Sequence, residues 1–282
     1  MSFQIEREPP SSPAALVDAL YAGRVFLLPA CAASRELCDA VQGLLIESLG
    51  SEPRRAYDGG SAEHFQRLGA LRRRLYMESA YHDLLFRIVA QFGLRPEECA
   101  FDPLRLRVVQ SAGHENVRAA PVYTPHRDTW YSHPQALLTW WIPLDDLPEE
   151  QTFVFYPECF RRPVANDSEG FVYERWVEKG WDLKIGWQNR EAGRRAHYPG
   201  ALGPVQTGPA VGFSCRRGEN LIFAGAHFHE TRRQVSGLTR FSVDFRLADL
   251  ADVAAGRGAP NVDARCRGSA ADDYVRGRRV TT

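Results

Sequence analysis

The sequence predicts a mainly β protein whose core is a sandwich or barrel and whose first hundred residues are mostly helical. Two observations predict this class. After Pro103 the chain carries short runs rich in β-branched and aromatic residues, separated by Gly, Pro and Asp. Before Pro103, apolar residues recur at helical spacing. Many short strands with turns between them indicate a sandwich or barrel, and the early helices are expected to pack outside it.

The predicted helices have recognisable start and stop signals. Ser12 can cap the first helix, Pro13 suits its first position and Gly23 can end it. The stretch "SRELCDAVQGLLIESLG" predicts a second helix that ends at Gly50, and "YHDLLFRIVAQFG" predicts a further one. Between the first two, "VFLLP" predicts a short buried strand.

The predicted strands are the runs "LRLRVVQ", "ALLTWWIPL", "TFVFYPE", "ENLIFAGAHFHE" and "TRFSVDFR". Residues 161–199 interrupt them with a polar, Trp-rich stretch that lacks clean periodicity, and long segments of this kind are usually lids or disordered linkers. Its three tryptophans, Trp176, Trp181 and Trp187, argue against disorder and favour a lid. We therefore expect a single domain, residues 1–282. Residues 1–100 form its helical flank, residues 101–250 form the core with a lid-like insertion at 161–199, and residues 251–282 form a C-terminal extension.

The composition argues against several functional classes. The chain has 35 basic and 35 acidic residues, so its bulk charge shows no footprint for nucleic acid or an anionic membrane. Its six cysteines show no C-x-x-C spacing, which argues against a zinc ribbon or a redox dithiol. No apolar run is long enough for a transmembrane helix, and the N-terminus has no signal-peptide pattern. We expect a cytoplasmic enzyme whose partner is a small-molecule substrate.

A candidate metal site begins in the stretch "VYTPHRDTWY", where His126 and Asp128 stand two positions apart. Alternate side chains of an extended strand point the same way, so the two could act as a pincer. A third ligand could come from His227 or His229, near the end of the strand-like run "GENLIFAGAHFHE". Two histidines and one carboxylate leave open positions on a metal, as non-haem Fe(II) oxygenases require for a co-substrate and O₂.

A candidate carboxylate anchor follows in "SGLTRFSVDFR". Arg240 can hold a carboxylate through two parallel hydrogen bonds and stays charged inside a pocket. Ser242, two residues further on, would share its strand face and could donate a hydroxyl to the same group. A metal triad with a carboxylate anchor suits a chelating keto-acid co-substrate.

The ordered set H-x-D, distal His and Arg-x-Ser resembles the Fe(II)/2-oxoglutarate-dependent oxygenases, and among them the phytanoyl-CoA dioxygenase-like branch. The resemblance covers roughly residues 14–247 and implies a double-stranded β-helix (jelly-roll, cupin-like) core with N-terminal helices. It implies Fe(II), 2-oxoglutarate and O₂ as cofactor and co-substrates. By motif position it gives metal-ligand roles to His126, Asp128 and His229, and the 2-oxoglutarate carboxylate to Arg240, helped by Ser242.

His229 is the preferred distal ligand because Ser236 and Arg240 then follow at the intervals usual in the family, while His227 stays open as the alternative. With Asp128 present, halogenation is not expected. The implied reaction is oxidation of an unactivated C–H bond, by hydroxylation, desaturation or cyclisation, in a small polar or amino-acid-like metabolite. Such a substrate would suit a secondary-metabolite pathway.

Several residues have a functional and a structural interpretation. Thr129 could contact the co-substrate or serve as a local hydroxyl, and Gln110 could face the pocket from a neighbouring strand. The arginines at 72–74 are most simply a solvated helix face. Two alternative functions also stay open: a cupin-like isomerase or dioxygenase that does not use 2-oxoglutarate, and a non-catalytic ligand-binding jelly roll.

Overall fold

A computed structural model of the chain describes residues 3–57, 59–116, 120–178 and 198–280. Two of the predicted helix boundaries are present: Ser12 caps the start of the first helix by accepting a hydrogen bond from the Ala15 amide, and Gly50 ends the second helix with φ 92°. The helices are α1 (Pro13–Tyr21), α2 (Ala32–Leu49), α3 (Ala62–Met77), α4 (Ser79–Gln91), α5 (Ala120–Tyr123), α6 (Tyr173–Glu178) and α7 (Leu250–Ala255).

The strands form a large sheet in the order β1-β2-β6-β4-β8-β3-β9 and a small one that pairs β5 with β7. They are β1 (Ile5–Glu6), β2 (Val25–Leu28), β3 (Cys99–Val109), β4 (Leu138–Pro143), β5 (Phe153–Phe155), β6 (Asn220–Ala224), β7 (His229–Thr231), β8 (Arg240–Asp249) and β9 (Val275–Arg276).

This strand order is that of a jelly roll. Strands β6, β4, β8 and β3 are antiparallel neighbours in the large sheet. Isolated bridges extend the small sheet, from His126 to His229 on one side and from Phe155 to Val211 on the other. Along the chain, β3, β4, β6 and β8 of the large sheet therefore alternate with segments of the small sheet. The predicted fold class, a double-stranded β-helix with flanking helices, is confirmed.

Both ends of the chain join the large sheet. Ile5 pairs with Val25 in parallel, and β2 pairs in turn with β6, so the N-terminal region contributes strands as well as helices. At the other end β9 pairs with β3 at Ala100. The division of the chain into flank, core, insertion and extension stays a prediction.

The two faces of β8 have opposite chemistry, and this difference places the site. Phe241, Val243, Phe245 and Leu247 pack in the main hydrophobic core together with α1, α2, α3 and α4. The alternating residues face the other way, into the jelly roll, and are polar yet at most 7% exposed: Arg240, Ser242, Asp244 and Arg246. A second core cluster joins Trp141 and Phe223 of the large sheet to Phe153 and Phe155 of the small one. The two sheets therefore pack face to face.

Within the described residues, no helix is long and apolar enough to cross a bilayer. All six cysteines are free thiols.

Candidate metal centre

His126, Asp128 and His229 meet at one point inside the jelly roll. One ligating atom of each lies within 4.8 Å of the others. The backbones of the two histidines bridge each other, because the His126 amide donates to the His229 carbonyl and the His229 amide donates to the His126 carbonyl, both at 3.0 Å. The sheet therefore fixes the spacing of the two imidazoles, whose ring centroids are 4.6 Å apart.

The expected strand through His126 and Asp128 is wrong in detail. His126 forms only an isolated bridge, and Asp128 begins a 3-10 turn that ends at Tyr131. The pincer forms nonetheless, because Arg127 between the two ligands is extended, with φ −113° and ψ 140°. One extended residue is enough to place its two neighbours on the same side.

Hydrogen bonds orient both imidazoles for metal binding. The Nδ1 atom of His126 lies 2.9 Å from the Thr124 carbonyl, and that of His229 lies 3.0 Å from the His227 carbonyl. A carbonyl only accepts, so each Nδ1 carries the proton and each Nε2 keeps a free lone pair. Burial lowers the pKa of His229 to about 4, so its imidazole is neutral at pH 7. This carbonyl–histidine arrangement is typical of metal-ligating histidines.

Asp128 stays ionised although it is only 2% exposed. Burial alone would raise its pKa, but the guanidinium of Arg246 holds that pKa well below the usual range. The Nη2 atom of Arg246 lies 3.3 Å from Asp128 Oδ1, and Thr139 donates its hydroxyl to Oδ2 at 2.5 Å. Asp128 is therefore a fixed carboxylate with one oxygen directed toward the histidines.

Arg246 joins three carboxylates behind the candidate ligands. Its guanidinium lies 3.3 Å from Asp128, 3.4 Å from Asp102 and 3.9 Å from Asp244. Burial opposes its charge, but the three acids together raise its pKa above the ordinary value. Sequence analysis missed Arg246, although it has the same strand parity as Arg240 and Ser242 and the alternation of β8 could have revealed it.

The donor set fits a divalent transition metal. Two imidazole nitrogens and one carboxylate oxygen converge, and no second carboxylate of the described residues belongs to the cluster. This is the 2-His-1-carboxylate set of non-haem Fe(II) sites, which leaves coordination positions for other ligands.

Arg240 lies in the same cavity, of about 230 Å³, and is 3% exposed. Its Nη1 is 3.5 Å from the Gln151 carbonyl. Among the described residues, its Nε has no hydrogen-bond partner and its guanidinium forms no ion pair. Burial lowers its pKa to about 10. A buried cation without an anionic partner is costly, so the arrangement suits a guanidinium that receives its anion from a ligand.

The other sequence candidates lie farther from the cavity. Ser242 is fully buried and accepts a hydrogen bond from Trp141 Nε1 at 2.9 Å. Thr129 is buried, its amide donates to Gly225, and its carbonyl accepts from Cys266. None of Ser242, Thr129 and Gln110 is among the described residues that line the cavity. The Nε2 of Gln110 is nevertheless buried, and no described residue forms a hydrogen bond with it.

His227 lies outside the ligand cluster. It is fully buried, and its ring packs 4.5 Å from Phe160 and 5.5 Å from Phe155, measured between centroids. The structure therefore brings His229, and not His227, together with His126 and Asp128.

The solvated-face interpretation of residues 72–74 is wrong for one of the three arginines. Arg73 and Arg74 are exposed, but Arg72 is 5% exposed and lines the cavity. The signal was present in the sequence, because Arg72 follows Leu68 by four residues and precedes Leu75 by three. That spacing places it on the buried stripe of α3.

The cavity also has a wall that sequence analysis did not assemble. His133 faces it, with Nδ1 2.7 Å from the hydroxyl of Tyr274 in the C-terminal extension. Phe171, Tyr173, Trp176 and Tyr198 from the edges of the 161–199 insertion also line it. Most of the lid-like segment, residues 179–197, lies outside the described residues, so its role as a lid stays a prediction.

Sequence comparison yields no relative: no family model matches the chain, and no curated protein matches it. Among solved structures it is similar to the epimerase SnoN in complex with Fe3+, alpha ketoglutarate and nogalamycin RO, at 17% identity and a TM-score of 0.44 over 90% of this chain and 98% of that one. It is also similar to AviO1 from Streptomyces viridochromogenes Tue57, at 14% identity and a TM-score of 0.44 over 93% and 100% of the two chains. A third is the non-heme monooxygenase ThoJ in its apo form, at 12% identity and a TM-score of 0.47 over 93% and 87%. These likenesses are distant, so the functional conclusion depends on this chain's own residues.

Proposed function

We propose that this chain is an Fe(II)/2-oxoglutarate-dependent oxygenase that oxidises a C–H bond of a small molecule. One observation carries the proposal: His126, Asp128 and His229 converge within 4.8 Å in a cavity that also contains the buried, unpaired Arg240. A metal triad alone would suit many metalloenzymes. The added anion site is what a keto-acid co-substrate requires.

In this proposal the Nε2 atoms of His126 and His229 and the carboxylate of Asp128 hold Fe(II). The bound metal supplies the activation of O₂, with 2-oxoglutarate as the electron source, that an unactivated C–H bond requires. Arg246 keeps Asp128 ionised, and Thr139 fixes the orientation of that carboxylate. The carbonyls that accept from the two histidines hold their rings in the ligating tautomer.

Arg240 binds the distal carboxylate of 2-oxoglutarate. Ser242 supports this site, because its oxygen accepts from Trp141 and its hydroxyl hydrogen stays available to a neighbour. Gln110 is kept as a candidate contact on account of its buried, unpaired Nε2, since Val109 beside it pairs with Arg240. Thr129 is the weakest of these candidates, because its backbone contacts already explain its burial.

The aromatic wall excludes water and shapes the substrate site. Tyr131, Phe171, Trp176 and Tyr198 line the cavity beside the ligand cluster. Shielding of the reacting centre is what oxidation of one chosen bond needs. The finer parts of the proposal are a small polar or amino-acid-like substrate, a place in secondary metabolism and membership of the phytanoyl-CoA dioxygenase-like branch. Hydroxylation, desaturation or cyclisation is the proposed outcome, and the proposed location is cytoplasmic.

The test is a reconstitution that separates co-substrate chemistry from substrate choice. The metal-free protein is loaded anaerobically with Fe(II) and 2-oxoglutarate, exposed to O₂ with a panel of small polar and amino-acid-like compounds, and assayed for succinate. Succinate formation that depends on Fe(II), O₂ and Arg240 is the expected result. Turnover of a substrate without consumption of 2-oxoglutarate would instead identify a cupin-like enzyme that does not use the keto acid.

A further inference from the structure

The cavity carries more positive charge than its own acids neutralise. The three aspartates are all engaged: Asp102 with Arg105 at 2.8 Å, Asp244 with Arg107 at 2.7 Å, and Asp128 with Arg246 at 3.3 Å. Its described lining contains five arginines and three aspartates, which leaves a formal charge of +2: Arg72, Arg105, Arg107, Arg240 and Arg246 against Asp102, Asp128 and Asp244.

Among the arginines of this described lining, Arg72 and Arg240 are the two that form no ion pair with an acidic residue in the described part of the chain. Under the proposed function, Fe(II) would add two positive charges and the two carboxylates of 2-oxoglutarate, one of them held by Arg240, would remove two, so the formal charge of +2 is unchanged. Arg72 is then left as a buried cation that neither the described protein residues nor the co-substrate neutralises.

Arg72 is held in place at the edge of the large sheet. Its Nε donates to the Leu106 carbonyl at 3.3 Å. On the side away from β8, strand β3 pairs with β9 only at Ala100 and Phe101. The backbone at Leu106 is therefore unpaired with β9, and its carbonyl can accept from the Arg72 side chain of α3. This bond fixes the guanidinium and leaves its Nη1 buried, with no hydrogen-bond partner among the described residues.

The electrostatics of Arg72 are unfavourable without a ligand. Burial, together with the charge of Arg107, lowers its pKa to about 9. A buried, unpaired guanidinium forfeits hydration and gains no ion pair in return. By contrast Arg73, the next residue of α3, is exposed. Of these two adjacent arginines, only Arg72 is buried and lines the cavity, as a binding role requires.

We propose that Arg72 binds an anionic oxygen group of the substrate, a carboxylate or a phosphate, at a subsite separate from the 2-oxoglutarate anchor at Arg240. That the bound anion belongs to a substrate rests on the proposed function. The anion subsite itself depends only on the described cavity. The anion subsite narrows the substrate class to molecules that carry a carboxylate or a phosphate in addition to the C–H bond that is oxidised.

The experiment uses two simple probes, sodium acetate and inorganic phosphate, titrated at constant ionic strength into the full-length, metal-free protein and followed by calorimetry. Arg72→Gln is expected to weaken probe binding about tenfold or more, the effect of losing a charge-assisted hydrogen bond. Arg73→Gln is the matched control and should bind like the unmodified protein. The probe that binds more tightly identifies the source of the oxyanion.

A stability measurement separates a binding role from a structural one. Arg72→Met removes an unpaired buried charge while keeping most of the side-chain volume, so the ligand-free variant should melt higher than the unmodified protein. The probes should raise the Tm of the unmodified protein but not that of the variant. A lower Tm for Arg72→Met, with probe binding unchanged in Arg72→Gln, would overturn the proposal.

A third measurement tests the anion subsite separately from the oxygenase assignment. In Mn(II)-loaded protein, 2-oxoglutarate affinity should fall in Arg240→Gln and stay unchanged in Arg72→Gln. An equal fall in both variants would overturn the separate subsite, because both arginines would then hold the co-substrate. Absence of any 2-oxoglutarate binding, with Arg72-dependent probe binding retained, would remove the oxygenase assignment and leave the anion subsite standing.

Discussion

Arg246 lies directly behind Asp128, with 3.3 Å between its Nη2 and the carboxylate Oδ1. This contact decides the charge state of a candidate metal ligand, because burial alone would favour the protonated acid. It also couples the ligand to Asp102 and Asp244, the other two acids of the cavity wall.

Arg246→Met should weaken divalent metal binding and make it more sensitive to acid. Without the guanidinium the pKa of Asp128 rises, so protons compete with the metal at a higher pH than in the unmodified protein. We expect a loss of about 10- to 100-fold in affinity at neutral pH, and destabilisation of about 3–5 kcal/mol from the unpaired acids. Mn(II) affinity measured between pH 5 and 8 checks this prediction. Arg107→Met is the control, since Arg107 pairs with Asp244 instead. Identical pH profiles for Arg246→Met and the unmodified protein would contradict it.

His126→Ala and Asp128→Ala should each abolish turnover and weaken Fe(II) binding while the fold is retained. Each variant removes one of three ligands from a cluster that the backbone still holds together. The anaerobic Fe(II)–2-oxoglutarate complex should show a weak visible charge-transfer band that both variants lose, and circular dichroism reports the fold. Asp145→Ala, at a partly exposed carboxylate paired with Arg54, is the control. Normal turnover by Asp128→Ala would rule out the triad.

His229, the first residue of β7, and His227, two residues before it, should respond differently to substitution by alanine. His229→Ala should lose metal binding and activity. His227→Ala should keep metal binding and lose stability, by about 2–4 kcal/mol for a cavity among aromatic rings, because its ring contacts Phe160 and Phe155. Metal titration and urea unfolding of both variants separate the two effects. If only His227→Ala lost the metal, the ligand would be His227.

Arg240→Lys should raise the KM for 2-oxoglutarate more than that for the primary substrate. Lysine keeps the charge but cannot form the two parallel hydrogen bonds of a guanidinium. The expected loss in binding free energy is about 1.5–3 kcal/mol, or roughly ten- to a hundredfold in affinity for 2-oxoglutarate. Steady-state assays with each substrate varied in turn measure the split, and Arg233→Lys, at an exposed position, is the control. An unchanged dependence on 2-oxoglutarate would move the anchor elsewhere.

His133 should make the protein less stable in acid. Burial, reinforced by Arg246 and Arg105 and only partly offset by Asp102 and Asp128, lowers its pKa to about 3. As the pH falls below about 6.5, His133 is therefore protonated in the unfolded chain before it is protonated in the folded one. The free energy of unfolding that is present above that pH is lost as the pH approaches 3. The slope is at most about 1.4 kcal/mol per pH unit.

His133→Gln should flatten this acid dependence, because glutamine can still accept from Tyr274 but does not titrate. Urea unfolding at pH 5 and pH 7.5 measures the difference in the free energy of unfolding. His82→Gln, on α4 outside the cavity, is the control. An equal loss of stability on acidification in His133→Gln and the unmodified protein would show that other groups control it.

The sequence predicted the fold because the signals were local. Caps and terminators such as Ser12 and Gly50 are read from neighbouring residues, and the strand runs show their period over a few positions. The run "TRFSVDFR" lies within and just before β8, and its alternation correctly paired Arg240 with Ser242 on one face. The extent of β3, which begins at Cys99, exceeded the predicted run because its first residues pair with β9 and the end of β8.

The unpredicted parts of the site depend on contacts between distant segments. Asp102 and His133 become cavity residues only when β3 and β8 pair and Tyr274 folds back onto them, and no local pattern contains that information. The H-x-D spacing has the period of a strand, but Asp128 begins a 3-10 turn, which ends at Ser132 in the left-handed region with φ 61°. The charge of Arg72 predicts an exposed side chain, but its position on the apolar stripe of α3 buries it.

The mutual backbone bridge between His126 and His229 has a consequence for how such an enzyme can diversify. The spacing of the two backbones that carry these imidazoles is set by hydrogen bonds between main-chain groups alone. The walls of the cavity, in contrast, come from side chains such as Trp176 and Tyr198 at the edges of the insertion. Under the proposed function, substitutions in those walls would change which molecule fits while the spacing of the two proposed metal ligands stays the same, so new substrates could be acquired without rebuilding the metal centre.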